Sequence, residues 1–383
     1  MNNLNNIPKS LKVDSRYLEQ MLDMKNLTNS YKILWLYSIY KEVIRDKNEA
    51  TVKKLISRMV GLAWHPVIYY KLNLGVQDKI SDIVLYINDR LKVSREETEE
   101  YVYDFVLNSK DKELNKKLNK ISLYVPYRLV RPFYDKHIKN RESFIGRKLN
   151  DYEINDYITE LLNADNKPFY RIDKKDKKII FGECWSEYIK DNQAIIQGWL
   201  NYKLIYYLQS KNPNTPSIPF KISPPAKRDL TKAKNYWKII RSEIQIIDIY
   251  TNKLLDKTNF NNYGEISIDH FIPWSFVLHD ELWNLIPTFK CVNSSKGNNL
   301  PDLKEYYDEF CELQYRAFTI ARNSNKISSN HLEDYFNVNK ELYNMDISDK
   351  NSKKIFIASL KDTITPLHKI ANNQGYSSWS CKG

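Results

Sequence analysis

The chain has 383 residues, 28 % charged and 42 % hydrophobic, and its 59 Lys and Arg exceed 47 Asp and Glu to leave a net charge of +12. That length and apolar content support one or two buried cores, which excludes a disordered chain, a collagen-like repeat and a small disulfide-stapled fold. No apolar run reaches the roughly 18 residues of a membrane span. The opening MNNLNNIPKSLKVD lacks the charged-then-apolar pattern of a signal peptide, so a cytoplasmic protein with no membrane partner is expected. Cys184, Cys291, Cys311 and Cys381 are scattered with no CxxC pair, which encodes neither a zinc ribbon nor a disulfide framework. The positive excess favours a polyanionic partner, because Lys and Arg that neutralise phosphates release condensed counterions.

In chain order, residues 1 to about 165 read as helices. Over 31–45, Ile33, Leu34, Tyr37, Tyr40, Val43 and Ile44 stand close to an i, i+3, i+4, i+7 spacing, with Thr28 and Asn29 as capping candidates before them. The spacing predicts further helices over 51–63, 77–88, 96–108 and 151–163, while His65-Pro66, Leu74-Gly75 and Val125-Pro126 read as turns. The run DKKDKK at 173–178 precedes Ile179, Ile180 and Phe181, a turn into a short strand. One long helix is expected over 185–209. Five prolines in 211–225 exclude helix there, and the main boundary is placed at their end. Beyond it, 230–243 reads as helix and 244–250 as strand, and helices are expected over 302–323, 331–343 and 353–367. The division is thus 1–225, a helical region that binds DNA or a partner; 226–305, a compact unit with strands; and 306–383, helices that pack on that unit.

One segment carries chemistry, SIDHFIPWSFVLHDELWNLIPTFKCVNSSKGNNLP at 267–301. A strand-like start delivers Asp269 and His270 side by side. A stretch of 13 residues leads to Asn284, and nine positions on stands Asn293, ahead of Lys296 and Gly297. Adjacent strand residues point to opposite faces, so at a strand end one of the pair can hold a metal while the other faces a water. A carboxylate with an amide oxygen is hard-oxygen ligation suited to Mg²⁺ shared with a phosphate, and a neutral His can take a proton from water attacking that phosphate.

In this order the residues resemble the HNH endonuclease motif of the ββα-metal nucleases: Asp269-His270-Phe271-Ile272-Pro273-Trp274-Ser275, then Asn284-Leu285, then Asn293-Ser294-Ser295-Lys296-Gly297. The resemblance covers about 244–303 and implies a mainly α fold with a small ββα-metal unit, α+β overall. It implies His270 as general base, Asp269 and Asn293 as ligands of Mg²⁺ or Mn²⁺, and Asn284 as the member of the catalytic set that ties the loop and orients the histidine. Lys296 becomes a phosphate contact at a helix start. Many relatives place two zinc-binding Cys five and eight residues after the middle Asn. Here those positions are Phe289 and Val292, so apolar packing without structural zinc is expected, and Cys291 reads as a buried free thiol. The His-Asn-Asn set is similar to that of the HNH domain in RNA-guided CRISPR nucleases.

Plainer roles compete for other residues. His279 can touch nucleic acid, or simply face solvent in its loop. Trp274 and Trp283 can stack on bases, or pack in the core. Lys174 and Lys175 are candidate phosphate contacts, as is Arg131 within a basic stretch from Arg128 to Lys148, or all are solvated surface. The expected activity is hydrolysis of DNA phosphodiester bonds in bacterial restriction or anti-phage defence. Its alternatives are an effector subunit activated by a partner or signal, and a nuclease acting on RNA. One such site cuts one strand, which leaves a homodimer or a second subunit open.

Overall fold

The structure is a computed structural model describing residues 7–225 and 228–381. Residues 1–6, part of the stretch read for a targeting pattern, lie outside the described residues, as does the start of the second segment at 226–227. Two compact units result, one reaching Pro213 and including Ile218–Pro224, the other formed by Asn214–Ser217 and Pro225–Gly383.

In the first unit, helix α1 (Tyr31–Val43) has every residue from Ile33 to Tyr40 buried, so it is a central helix covered all round and not the one-sided helix its spacing suggests. After β1 (Glu49–Thr51), Thr51 caps α2 (Val52–Trp64) by accepting from the Lys54 N–H at 3.1 Å. His65-Pro66 is not a turn. The helix runs on through one wider loop in which the Tyr70 N–H donates to the His65 carbonyl at 3.0 Å.

Next come α3 (Lys79–Asp89), α4 (Glu99–Asn108), α5 (Lys112–Ser122), α6 (Val125–Ile145) and α7 (Asp151–Ala164). Gly61 lets α2 and α4 meet, since a Cβ there would lie 2.8 Å from the Glu99 carbonyl oxygen. Val125-Pro126, read as a turn, opens α6 instead, because the proline's missing N–H falls where a helix has no use for one. Strands β2 (Tyr170–Asp173) and β3 (Lys178–Phe181) make an antiparallel hairpin, and β3 also pairs with β1, in the order β1-β3-β2. The single helix expected over 185–209 is two, α8 (Glu183–Asp191) and α9 (Gln193–Lys211), broken where Asn192 leaves helical geometry at φ −119°.

In the second unit, α10 (Thr231–Glu243) leads into a segment that is not the strand expected over 244–250. Asp248 accepts from the Thr251 N–H and Oγ, and Asn252 turns into the left-handed region at φ 56°. That tight turn leaves only the bridge from Ile247 to Leu254. Strand β4 (Ile266–His270) pairs antiparallel with β5 (Leu285–Phe289), with Asp269 opposite Ile286 and His270 opposite Leu285. Helix α11 (Lys290–Lys296) follows β5 directly, which completes a ββα unit.

Strand β6 (Leu300–Pro301), α12 (Leu303–Asn323), α13 (Ser352–Asn373) and β7 (Ser378–Trp379) complete the chain, β6 pairing parallel with β7. The helix expected over 331–343 is two short ones, Glu333–Phe336 and Lys340–Tyr343, because Asn339 breaks the run and caps the second. The ββα unit and the later helices share one core, in which Phe271 stacks on Phe310 at 4.0 Å. The fold is mainly helical with small sheets, α+β overall. No helix among the described residues is long and apolar enough to cross a membrane.

Candidate active site

The site forms where β4 ends. Asp269 and His270 are the last two residues of that strand, 2 % and 5 % exposed. The chain then loops through a short helix, Trp274–Val277, capped by Leu278 in the left-handed region at φ 57°. A non-glycine residue there costs of order 1–2 kcal/mol, and the loop spends it immediately before His279 and Asp280. Asp280 turns back so that its Oδ1 lies 2.7 Å from His270 Nε2.

Burial holds the His270 imidazole below its ordinary value of 6.5, with Asp280 pulling the other way and the Arg228 guanidinium adding to the depression. The ring is therefore neutral at pH 7. With Nε2–H donated to Asp280, Nδ1 carries the lone pair, and among the described residues it has no hydrogen-bond partner.

Asn284 closes the loop. Its Oδ1 accepts from the Ile272 N–H at 2.8 Å and its Nδ2 donates to the Ile272 carbonyl at 2.9 Å, while its own carbonyl accepts from the Phe271 N–H. Both ends of the amide are committed, so Asn284 orients the chain beside His270 and offers nothing to a substrate. On α11, Asn293 Nδ2 donates to Ser267 Oγ at 2.8 Å and to the Ile268 carbonyl at 3.0 Å. Its Oδ1 is left without a partner among the described residues. Each Asp269 oxygen has one partner: Oδ1 meets Lys296 Nζ at 3.0 Å and Oδ2 accepts from the Tyr250 hydroxyl at 2.7 Å.

Three expectations change here. Lys296 ends α11 instead of starting it, is wholly buried, and donates to Asp269 and to the His270 carbonyl at 2.6 Å. A buried ammonium already satisfied in this way is a counter-ion to Asp269 and not an exposed phosphate contact at a helix N-terminus. Cys291 is exposed, not buried. His279 does not face solvent. Its ring packs against Trp283 at 5.2 Å with Nδ1 buried, and burial depresses its proton affinity. Trp274 and Trp283 are themselves core residues. Phe289 and Val292 are buried, Phe289 stacked on Tyr263 at 5.1 Å.

The remaining candidates lie in the first unit. Lys174 stands at the β2–β3 turn, paired with Asp156. Lys175 is exposed at the same turn. Arg131 on α6 pairs with Asp135 at 3.3 Å.

Sequence reasoning missed Asp280 and Tyr250. Asp280 follows His279 in a stretch just long enough to fold back on His270, a signal that was present. Tyr250 had none, since its role depends on the turn at Asp248.

Residues 248–302 match the family described as HNH endonuclease. The chain carries an HNH endonuclease domain. It is also 39 % identical over 57 residues to the CRISPR-associated endonuclease Cas9 of Listeria innocua, a match covering 15 % of this chain and 4 % of that protein. The chain thus spans only a small fraction of that relative. The matched HNH segment runs from the turn at Asp248 to the cap of α12 at Asp302, and so takes in Tyr250 with Asp269, His270, Asp280, Asn284, Asn293 and Lys296.

Proposed function

We propose that the protein is a metal-dependent endonuclease that hydrolyses DNA phosphodiester bonds, with His270 as general base, and that it serves restriction or anti-phage defence. The observation that carries this reading is a buried imidazole held through Nε2 by Asp280 at 2.7 Å, next in sequence to a buried carboxylate. His270 Nδ1 accepts the proton of the attacking water as its oxygen bonds to phosphorus and the P–O bond to the leaving strand breaks.

Asp269 and Asn293 are the residues that would hold a divalent cation. The donor set fits: one carboxylate and one amide oxygen already aimed by Ser267 and Ile268 are hard ligands with few protein donors, which suits Mg²⁺ or Mn²⁺ held jointly with a phosphate. When bound, the metal supplies charge stabilisation at the scissile phosphate. Lys296 occupies Asp269 Oδ1 otherwise, so affinity for the metal alone is weak. Arg228, exposed over the Trp274 ring at 5.2 Å, replaces Lys296 as the candidate phosphate contact.

The test is conversion of supercoiled plasmid by the purified chain with Mg²⁺ or Mn²⁺, and with EDTA, beside Asn293→Ala. Cutting that needs the metal and is lost in Asn293→Ala supports the reading, and metal-independent cutting overturns it. A labelled RNA offered in parallel decides the nucleic acid.

A further inference from the structure

The first unit contains a cavity of about 840 Å³ between α5, the starts of α6 and α7, and the β2–β3 turn. That lies within the range of about 300–1,000 Å³ typical of ligand sites. Six lysines line it: Lys110, Lys112, Lys116 and Lys120 along one wall, Lys174 and Lys177 on the other, against two aspartates. On α5 the lysines fall at i, i+4 and i+8 of one face while Leu114, Leu118 and Ile121 are buried on the opposite side.

Only Lys174 of the six has a carboxylate partner among the described residues, Asp156, and Asp173 Oδ1 accepts from the Asp176 N–H. The contrast within α5 is direct. Lys117, outside the cavity, pairs with Glu113 at 3.8 Å and lies 5.4 Å from the Tyr86 ring centre. Bringing like charges into one concavity is unfavourable unless an anion joins them. The floor is not simply ionic. Tyr152, 73 % exposed and without a ring partner among the described residues, stands at the rim, Tyr127 lines the wall, and Asn119 presents an unpartnered amide.

Cations in a groove with an unstacked aromatic are the two components of single-strand recognition: phosphates tracked by charge, bases stacked without regard to sequence. We propose that this cleft binds single-stranded nucleic acid, its lysines meeting consecutive phosphates and Tyr152 stacking on a base. This site is additional to the HNH centre, and it stands or falls on binding and not on cleavage.

The experiment measures fluorescence anisotropy of a labelled 12-nucleotide oligo-dT with the full-length His270→Ala chain in EDTA, across salt concentrations. Lys116→Glu/Lys120→Glu weakens binding at least about tenfold and lowers the slope of log Kd against log salt by about 1–2. Tyr152→Ala weakens it about fivefold or more. The charge-matched control Lys136→Glu/Lys139→Glu, exposed on α6 outside the cavity, changes it less than threefold. Equal losses in the two double variants, or none in either, overturn the proposal. So does displacement of the oligonucleotide by micromolar ATP, which reassigns the cleft to free nucleotides, or a preference for a duplex of the same length.

Discussion

His270 and Asp280 form a pair in which the carboxylate both aims the ring and raises its proton affinity against the depression caused by burial. The base form is present above the depressed value, so the acid limb of the cleavage profile falls below pH 6.5. In Asp280→Asn the raising influence is gone. The limb therefore moves to lower pH, and the plateau rate drops at least about tenfold as the base weakens and loses its orientation; an unshifted limb in a rate–pH series rules out this role. The same depression makes the unfolded chain the better proton binder, so folding stability is lost as pH falls from 6.5 through the folded value.

At Lys296 the expected effect is on stability and metal together. Lys296→Met strands the buried Asp269 carboxylate and costs about 3–5 kcal/mol. Added Mn²⁺ then raises the melting temperature of the variant more than that of the wild type, because the ion no longer competes with an ammonium. Equal shifts in calorimetry count against Lys296 as the occupant of the metal position.

At the scale of elements, the ββα unit owes its rigidity to side chains at its joints. Asn284 staples the loop to Ile272, and Phe289 closes the end of β5 against Tyr263. Phe289→Ala opens a cavity worth about 3–5 kcal/mol, read in urea unfolding as a lower midpoint, with the cutting rate of the folded fraction retained. A folded Phe289→Ala chain that has lost activity places Phe289 in the chemistry and contradicts the packing role.

Much at this scale was legible. Long periodic helices such as α2, α4 and α7 stand within a few residues of their expected positions, because an apolar face three turns long dominates local alternatives. The order Asp269-His270, Asn284, Asn293 carried the ββα unit because each residue stands at a defined joint of it. What was not legible depended on tertiary context. The Asp248 turn erased a strand with good β-propensity, Asn192 divided a continuous helical pattern, and a proline dipeptide at Val125-Pro126 marked a helix start and not a turn. Lys296 was misplaced because a Lys-Gly pair reads alike whether its ammonium points to solvent or to a buried carboxylate.

Across the whole molecule, the net charge of +12 said that a polyanion was favoured and not where it is met. The proposed part of the answer is the lysine-lined cleft of the first unit, of which the sequence pointed only to Lys174, because its two walls lie far apart in the chain and each alone resembles a solvated surface. In the other basic stretch, on α6, the arginines are paired, Arg128 with Asp151, Arg131 with Asp135 and Arg141 with Glu160, while Lys136 and Lys139 are exposed. On the proposed function, the HNH centre of one chain cuts one strand at a time, so supercoiled plasmid passes through an open-circular form before any linear product. Gel densitometry over time checks this, and linear product without an open-circular precursor points to two coupled centres.

The most direct measurement is the rate of plasmid nicking by His270→Ala against wild type, both shown by circular dichroism to be folded, with Mg²⁺ or Mn²⁺. Loss of general-base catalysis lowers the rate by about 10²–10⁴-fold. A folded His270→Ala chain that nicks within threefold of the wild-type rate contradicts the account.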